Sequence, residues 1–398
     1  MNQIFRQGYF MIKPLGEFAQ YLKGSIPDIP ADYAISLAYE NIVGAEKIRN
    51  GVLAFRDFLC RFYDYVTANA DLHDNPKPNA DRVWGGVNFS MDYPFLRDMA
   101  MVLFTVGIYG KLNESGNALV LSGSELSGAL KKARVPKPEA YMRYLTECGA
   151  VFNGIDLESK KPDLSLVSSM EVSYPVNSVM PVGLRLMAIA QLKTNEKRFK
   201  PGTSACVTTI DNIFLRCDYR AFEEEEAELV PFIKDIVKPF SAETQGFVLK
   251  LHQRFTDVGF KCEMTTGRNS SIGFYLLYAY KSRPKKVVQA EWIIGITPKG
   301  CGIKIDAGNT GKYMNIFDDF PASLSELIKN GSGCIYKSTP KKCKLEENGY
   351  KFMIGGAEYI KCSSKSCSDN DFWAPLSDIT DEERHAVEGW IESELLYL

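Results

Sequence analysis

The chain has 398 residues, of which 45% are hydrophobic and 24% are charged, and its formal net charge at pH 7 is −2. This composition excludes a largely disordered chain, and the charge gives no overall indication of a nucleic-acid or anionic-membrane partner. The length predicts two or three domains rather than a single core.

The sequence also bears on location. The N-terminal segment lacks the apolar stretch and the small-residue cleavage pattern of a secretory signal, and no apolar run reaches the roughly 18 residues of a membrane span. The ten cysteines lie mostly in apolar or strand-like segments, which is typical of reduced thiols. We therefore expect a cytoplasmic protein without a membrane partner, and the sequence does not indicate an oligomeric state.

Residues 1–75 are predicted to form a mainly helical first segment. Apolar residues recur at helical spacing from Tyr33 to Val66, and Gly44 and Gly51 are candidate breaks between two helices. The polar stretch 69–81 contains prolines and has no periodicity, so it predicts a linker.

Residues 82–200 are predicted to form a winged-helix-like domain. The segment 92–175 has the order helix, capped helix, tight turn, helix and two strands around a polar loop, with Ser122 and Glu125 predicting the cap and Pro138 opening the third helix. In a winged helix the third helix enters the major groove and the loop is the wing. The candidate DNA contacts are therefore Lys131, Lys132, Arg134, Lys137, Tyr141, Arg143, Lys160 and Lys161.

Duplex DNA is thus one candidate partner, but charge leaves an alternative open. Residues 91–175 carry nine lysines and arginines against ten aspartates and glutamates, although five of these nine lie between Lys131 and Arg143. A protein that reads DNA usually has a basic face, because phosphate neutralisation dominates affinity. The alternative is a structural or protein-binding winged helix.

Residues 205–398 are assigned to an α+β domain. The segment Ser204–Cys217 is predicted to be strand-like, and an amphipathic helix is predicted for Ser241–Val258. Four strand-like runs then follow at short spacing and predict an antiparallel meander. They are residues 261–265, 273–281, 286–296 and 302–307.

The C-terminal residues predict two more helices and a hairpin. Ser323 and Glu326 form a capping pattern for a short helix, and Thr380 with Glu383 forms another for the last helix. A hairpin over 349–361 is predicted to turn at Gly355. The fold class is therefore α+β, with an N-terminal helical and winged-helix-like part and a C-terminal antiparallel meander flanked by helices.

Catalytic patterns are absent from the sequence. His73, His252 and His385 are the three histidines, and none lies in the spacing of a hydrolytic triad or a zinc protease. The glycine-rich segments lack the spacing that cradles phosphates. We expect a protein that is not an enzyme, and an enzyme with a site assembled from dispersed residues is the third hypothesis.

Four cysteines near the C-terminus form a candidate zinc site. Structural zinc prefers ligand pairs separated by two to four residues, and one pair of these cysteines meets the upper edge of that spacing. The alternative, which we favour, is ordinary thiols in loops and no cofactor. The four residues are Cys334, Cys343, Cys362 and Cys367.

The meander is rich in aromatic residues. Alternation places Phe274 and Tyr278 on one face of the predicted sheet and Tyr275 on the other. One face has to pack on helices, and the other is either covered as well or open to a ligand or partner. The candidate groove residues are Tyr275, Tyr278 and Trp292.

Three segments of residues 205–398 carry a family resemblance. They are Trp292–Gly295, Asp306–Tyr313 and the closing run from Trp373 to Glu383. They resemble bacterial proteins of unknown function, mostly of Firmicute type. The resemblance implies a small domain with helices around an antiparallel meander and implies no catalytic residue.

Two hypotheses lead. The first is a bacterial transcriptional regulator whose winged helix binds DNA and whose C-terminal domain senses a small ligand or a partner. The second is a protein-interaction or ligand-binding protein in which the winged helix is purely structural.

Overall fold

The structure is a computed structural model. It describes residues 15–73, 77–78, 83–84, 87–88, 91–224, 228–266, 274–281, 288–297, 300–306, 309, 312–329, 349–362 and 371–398. In this part of the chain, no helix is both long and apolar enough to cross a membrane.

Helices dominate the first half of the chain, and a short antiparallel sheet with the order β5-β6-β8-β7 packs beside them. The helices are α1 (Leu15–Gly24), α2 (Leu37–Val43), α3 (Ala45–Ala68), α4 (Pro94–Tyr109), α5 (Gly123–Lys132), α6 (Pro138–Glu147), α7 (Met180–Arg198), α8 (Ser204–Thr208) and α9 (Asn212–Leu215). The strands are β1 (Lys77–Pro78), β2 (Val83–Trp84), β3 (Val87–Asn88), β4 (Met91–Asp92), β5 (Lys111–Leu112), β6 (Ala118–Leu121), β7 (Val151–Asn153) and β8 (Met170–Ser173).

The second half is built on an antiparallel sheet with the order β15-β12-β11-β10-β9. Its strands are β9 (Lys261–Thr266), β10 (Phe274–Lys281), β11 (Val288–Thr297), β12 (Gly300–Asp306) and β15 (Asp371–Pro375), and a separate hairpin pairs β13 (Gly349–Ile354) with β14 (Ala357–Cys362). The helices are α10 (Leu229–Val237), α11 (Ala242–Asp257), α12 (Ala322–Lys329) and α13 (Asp381–Leu395). The α+β fold class predicted from the sequence is confirmed.

Among the described residues, buried apolar side chains form two clusters. The first core draws on residues 15–222 and the second on residues 232–391. The first core contains residues that precede the predicted linker at 69–81 and residues that follow it, because α1 and α3 pack with α4 and α7. The second core lies between the sheet and the helices α10, α11 and α13.

Glycines set the closest helix contact of the first core. A Cβ atom placed on Gly183 of α7 would lie 1.9 Å from the carbonyl oxygen of Gly51 in α3. Gly51 lies inside the helix α3, which runs without interruption from Ala45 to Ala68. The break between α2 and α3 occurs at Gly44, whose φ is 80°. The glycine that looked like a helix break in the sequence is a packing glycine.

Two predictions about local structure are wrong. The predicted strand Ser204–Cys217 is instead the helices α8 and α9. The buried amide of Asn195 donates to the carbonyl oxygens of Cys206 and Thr209, so the backbone of this segment bonds to α7 rather than to a strand. Long-range hydrogen bonds have overridden the strand preference of the β-branched residues.

The cap predicted for α12 is the second error. Ser323 lies inside the helix, which begins at Ala322, and its hydroxyl donates to the carboxylate of Glu383. The other predicted caps are present: Ser122 accepts from the backbone N–H of Glu125, and Thr380 with Glu383 forms a complete capping box.

Candidate functional site

Four basic side chains lie together where α5 ends and α6 begins. Lys131 and Lys132 occupy the last turn of α5, and Arg134 and Lys137 lie in the connection. All four are exposed, and none takes part in an ion pair between described residues. We call these four residues the basic turn.

The backbone of the basic turn is fixed in an unusual conformation. Arg134 has a φ of 60° and Lys137 a φ of 48°, which are left-handed values that cost about 1–2 kcal/mol each in residues other than glycine. Buried Val135 and a hydrogen bond of 3.0 Å from its N–H to the carbonyl of Leu130 hold the turn closed. The turn encloses a groove of about 380 Å³, whose wall also includes Glu139.

The loop between β7 and β8, residues 154–169, lies beside α6 and carries exposed Lys160 and Lys161. Arg143 of α6 donates to the carbonyl oxygens of Leu157 and, at 3.1 Å, of Ser159. Glu139 of α6 accepts from the N–H of Leu164 at 3.1 Å. The helix therefore holds the loop on both sides of its lysine pair.

Two of the predicted DNA contacts are thus used within the protein. Arg143 supports the β7–β8 loop, and the hydroxyl of Tyr141 donates to buried Asp98 at 3.0 Å. Of the residues of this fully described helix, only Thr146 and Glu147 are exposed. The α6 surface consequently offers few side chains for reading base edges.

Aromatic side chains cover the face of α6 that is turned towards α4. Tyr144 packs against Phe95 and His73, and the rings of His73 and Phe95 stack with their centroids 3.5 Å apart. His73 is 8% exposed, and burial lowers the pKa of its imidazole. The neutral ring is therefore favoured in the folded protein.

The candidate aromatic groove is not formed as predicted. Tyr278 and Trp292 are fully buried under α11, where both rings make edge contacts with Phe255. The hydroxyl of Tyr278 lies 2.9 Å from Nδ1 of His252. Tyr275 lies on the opposite face of the sheet and is half-buried, so these three residues do not line one groove.

Most of the candidate zinc ligands lie outside the residues that the structure describes. Cys334, Cys343 and Cys367 lie outside the described residues, and Cys362 is the last residue of β14. In the described part of the chain, no group of three or more histidine, cysteine, aspartate or glutamate side chains is arranged to hold a metal ion.

A buried ionic network, which sequence reasoning did not single out, joins the two cores. Arg216 donates to the carbonyl oxygen of Ser25 at 2.7 Å and to Asp218 at 3.1 Å. Arg220 bridges Asp218 to Asp235 of α10. The available signal was the alternation of opposite charges in Arg-Cys-Asp-Tyr-Arg within an otherwise apolar segment.

No family model matches the chain, and no curated protein or solved structure is significantly similar to it. The resemblance of residues 205–398 to Firmicute-type proteins therefore stays a prediction.

Proposed function

We propose that the protein binds duplex DNA through its phosphates, using the basic turn and the lysine pair of the β7–β8 loop. The observation that carries the proposal is the group of four exposed cations at one helix–helix turn, without ion pairs to described residues. Lysine and arginine gain DNA affinity by releasing the counterions of the phosphates that they neutralise.

The element order around this turn supports a winged helix. The order α4, β6, α5, α6, β7, loop, β8, with β8 between β6 and β7 in the sheet, is that of a winged helix with its wing between the last two strands. In helix-turn-helix proteins the first helix of the pair crosses the DNA backbone, while the second helix enters the major groove with its N-terminal residues at the base edges. The basic turn lies between the two helices of the pair, so in this arrangement it would contact phosphates of the backbone.

The hydrogen bonds that occupy the side chains of α6 favour binding to phosphates over contacts with base edges. Phosphate contacts position a protein on the duplex, whereas side chains in the groove specify the sequence. Tyr141 and Arg143 are engaged internally, so the expected binding is sequence-tolerant and falls steeply with salt.

The test is fluorescence anisotropy with a labelled mixed-sequence duplex over a series of salt concentrations. A variant with K131Q, K132Q, R134Q and K137Q removes four charges and leaves a side chain of similar shape at each position. The dissociation constant should rise strongly at low salt, and the slope of log K against log salt should fall by about 0.9 for each lost phosphate contact.

The matched control removes four exposed lysines from other surfaces of the first half, with K47Q, K111Q, K197Q and K200Q. It should bind like the wild type apart from a small uniform loss. Equal losses in both variants would assign the binding to general charge, and no binding of the wild type at low salt would overturn the proposal.

A second candidate is a protein-interaction role in which the winged helix is structural. The observation that favours it is the closed surface of α6, together with the excess of one acidic residue over 91–175. A wild-type protein that is folded and binds no duplex at low salt would leave this candidate in place.

A further inference from the structure

A surface groove runs along α13 in the second half of the chain, remote in sequence from the basic turn. It has a volume of about 550 Å³. One wall is the 3₁₀ segment around Ile316 and Asp319 with the following Phe320, and the other is the α13 face from Glu382 to Ser393. The twelve residues from Glu382 to Ser393 span about 16 Å between their first and last Cα atoms.

Hydrogen bonds and ring contacts join the two walls and preform the groove. Ser323 of α12 donates to Glu383, which also caps the start of α13. Further along, the indole N–H of Trp390 donates to the hydroxyl of Tyr313 at 3.1 Å. Phe320 packs against Phe317 and Trp390, so the aromatic wall is anchored in the second core.

The groove combines an apolar floor with negative charge. The carboxylates of Asp319 and Glu382 are exposed and take part in no ion pair between described residues, and the described residues that line the groove include no lysine or arginine. Nδ1 of His385 donates to the carbonyl oxygen of Asp381. This charge distribution is complementary to a cation.

The floor is open at a glycine in the middle of α13. A Cβ atom added to Gly389 would have no atom of the described residues within 4 Å, so the bare helix backbone is accessible to a bound chain. Small-molecule sites usually enclose most of their ligand, whereas this groove is open along its length. Its length of about 16 Å suits about five residues of an extended peptide.

We propose that this groove binds a peptide segment of a partner protein in which lysine or arginine residues alternate with apolar ones. The apolar side chains would pack on Ile316, Phe320 and Ala386, and the cations would pair with Asp319 and Glu382. The exposed part of the Phe320 ring would add a cation–π contact. The inference is independent of DNA binding, because the basic turn contributes nothing to the groove.

The test uses fluorescein-labelled nonapeptides and the full-length protein, with binding followed by anisotropy. The probe alternates lysine and leucine, and two comparison peptides replace every lysine by glutamate or every leucine by serine. The lysine–leucine peptide should bind more tightly than either comparison peptide. A D319N/E382Q variant should weaken its binding at least tenfold, while E228Q/E263Q, which removes two exposed carboxylates elsewhere in the same half, should change it less than twofold.

A steric variant separates the groove from general charge attraction. G389L places a side chain in the open space of the groove without altering charge, and G389A controls for the change in helix propensity. Loss of binding in G389L with binding kept in G389A is the expected result. Equal binding of the lysine–leucine and lysine–serine peptides, or unchanged binding by G389L and D319N/E382Q, would overturn the proposal.

Discussion

Arg216 lies fully buried at the contact between the two cores and is compensated from several sides. Its guanidinium contacts the Ser25 carbonyl and Asp218, and its central carbon lies 4.9 Å from the ring centroid of Phe274 and 5.6 Å from that of Phe232. Burial lowers the pKa of this side chain, and the nearby Asp218 opposes that effect. A charge in such a position is tolerated only because hydrogen bonds and a carboxylate replace water.

Replacing Arg216 by alanine should destabilise the protein by about 3–5 kcal/mol, because it breaks a buried ion pair and leaves space between the two rings. Urea denaturation followed by circular dichroism measures the change. The matched control is K238A, which removes the exposed ion pair of Lys238 with Asp28 at the same junction and should cost less than about 1 kcal/mol. Similar small losses in both variants would show that the Arg216 network does not stabilise the junction.

At this scale the sequence predicts what depends on neighbours in the chain. The caps Ser122 and Thr380 follow from residues three positions apart, and both are confirmed. Alternation correctly separates Tyr275 from Tyr278, but it cannot say which face the helices cover, so the candidate groove of Tyr275, Tyr278 and Trp292 was wrong and the alternative of a covered face holds for Tyr278 and Trp292. The role of Ser323 depends on Glu383, sixty residues further along the chain.

The crossing of α3 and α7 depends on two glycines. A Cβ atom added to Gly183 would lie 1.9 Å from the carbonyl oxygen of Gly51, and a Cβ atom added to Gly51 would lie 2.7 Å from the backbone nitrogen of Gly183. Both obstacles are backbone atoms, which cannot move aside as a flexible side chain can. Any side chain at either position has to separate the helices, and the first core is packed around this contact.

The variant G183A should therefore destabilise the protein by about 1–3 kcal/mol or more, as overpacking does. The control is G128A, at a helical position of α5 where an added Cβ meets nothing within 4 Å. Alanine there should stabilise by up to about 1 kcal/mol, because it is a better helix former than glycine. Thermal unfolding of both variants checks the opposite signs, and a stabilising G183A would contradict the close crossing.

Whole elements were predictable where the hydrophobic period was strict. The strands β9 to β12 alternate clearly and are separated by turn residues, and their antiparallel pairing is confirmed. The strand β15 was missed, since it joins the edge of that sheet beside β12 from about seventy residues further along the chain. The segment of α8 and α9 was predicted to be a strand, because the local sequence pattern does not contain its hydrogen bonds to Asn195 of α7.

Across the whole molecule, each core contains one histidine that burial keeps neutral. His73 lies in the first half against Phe95, and His252 lies in the second half beside Tyr278. Burial lowers the pKa of both imidazoles. The unfolded chain therefore takes up these protons more readily than the folded one.

The sign of the pH dependence follows from that difference. An unfolded histidine titrates near pH 6.5, so above that pH neither state carries the extra proton. Below it the unfolded state binds more protons than the native state, and the free energy of unfolding falls as the solution is acidified towards the lowered pKa of the folded protein. The loss should begin below about pH 6.5 and increase towards pH 5.

The variant H252Q isolates the contribution of the second core. Glutamine does not titrate and can keep a hydrogen bond to the Tyr278 hydroxyl, so H252Q should lose less stability than the wild type between pH 7.5 and pH 5. Urea denaturation at both pH values measures the two differences, and comparing them cancels the groups that the proteins share. If H252Q loses as much stability as the wild type, then His252 is protonated in the folded protein over this range, and its burial does not govern the acid sensitivity of the second core.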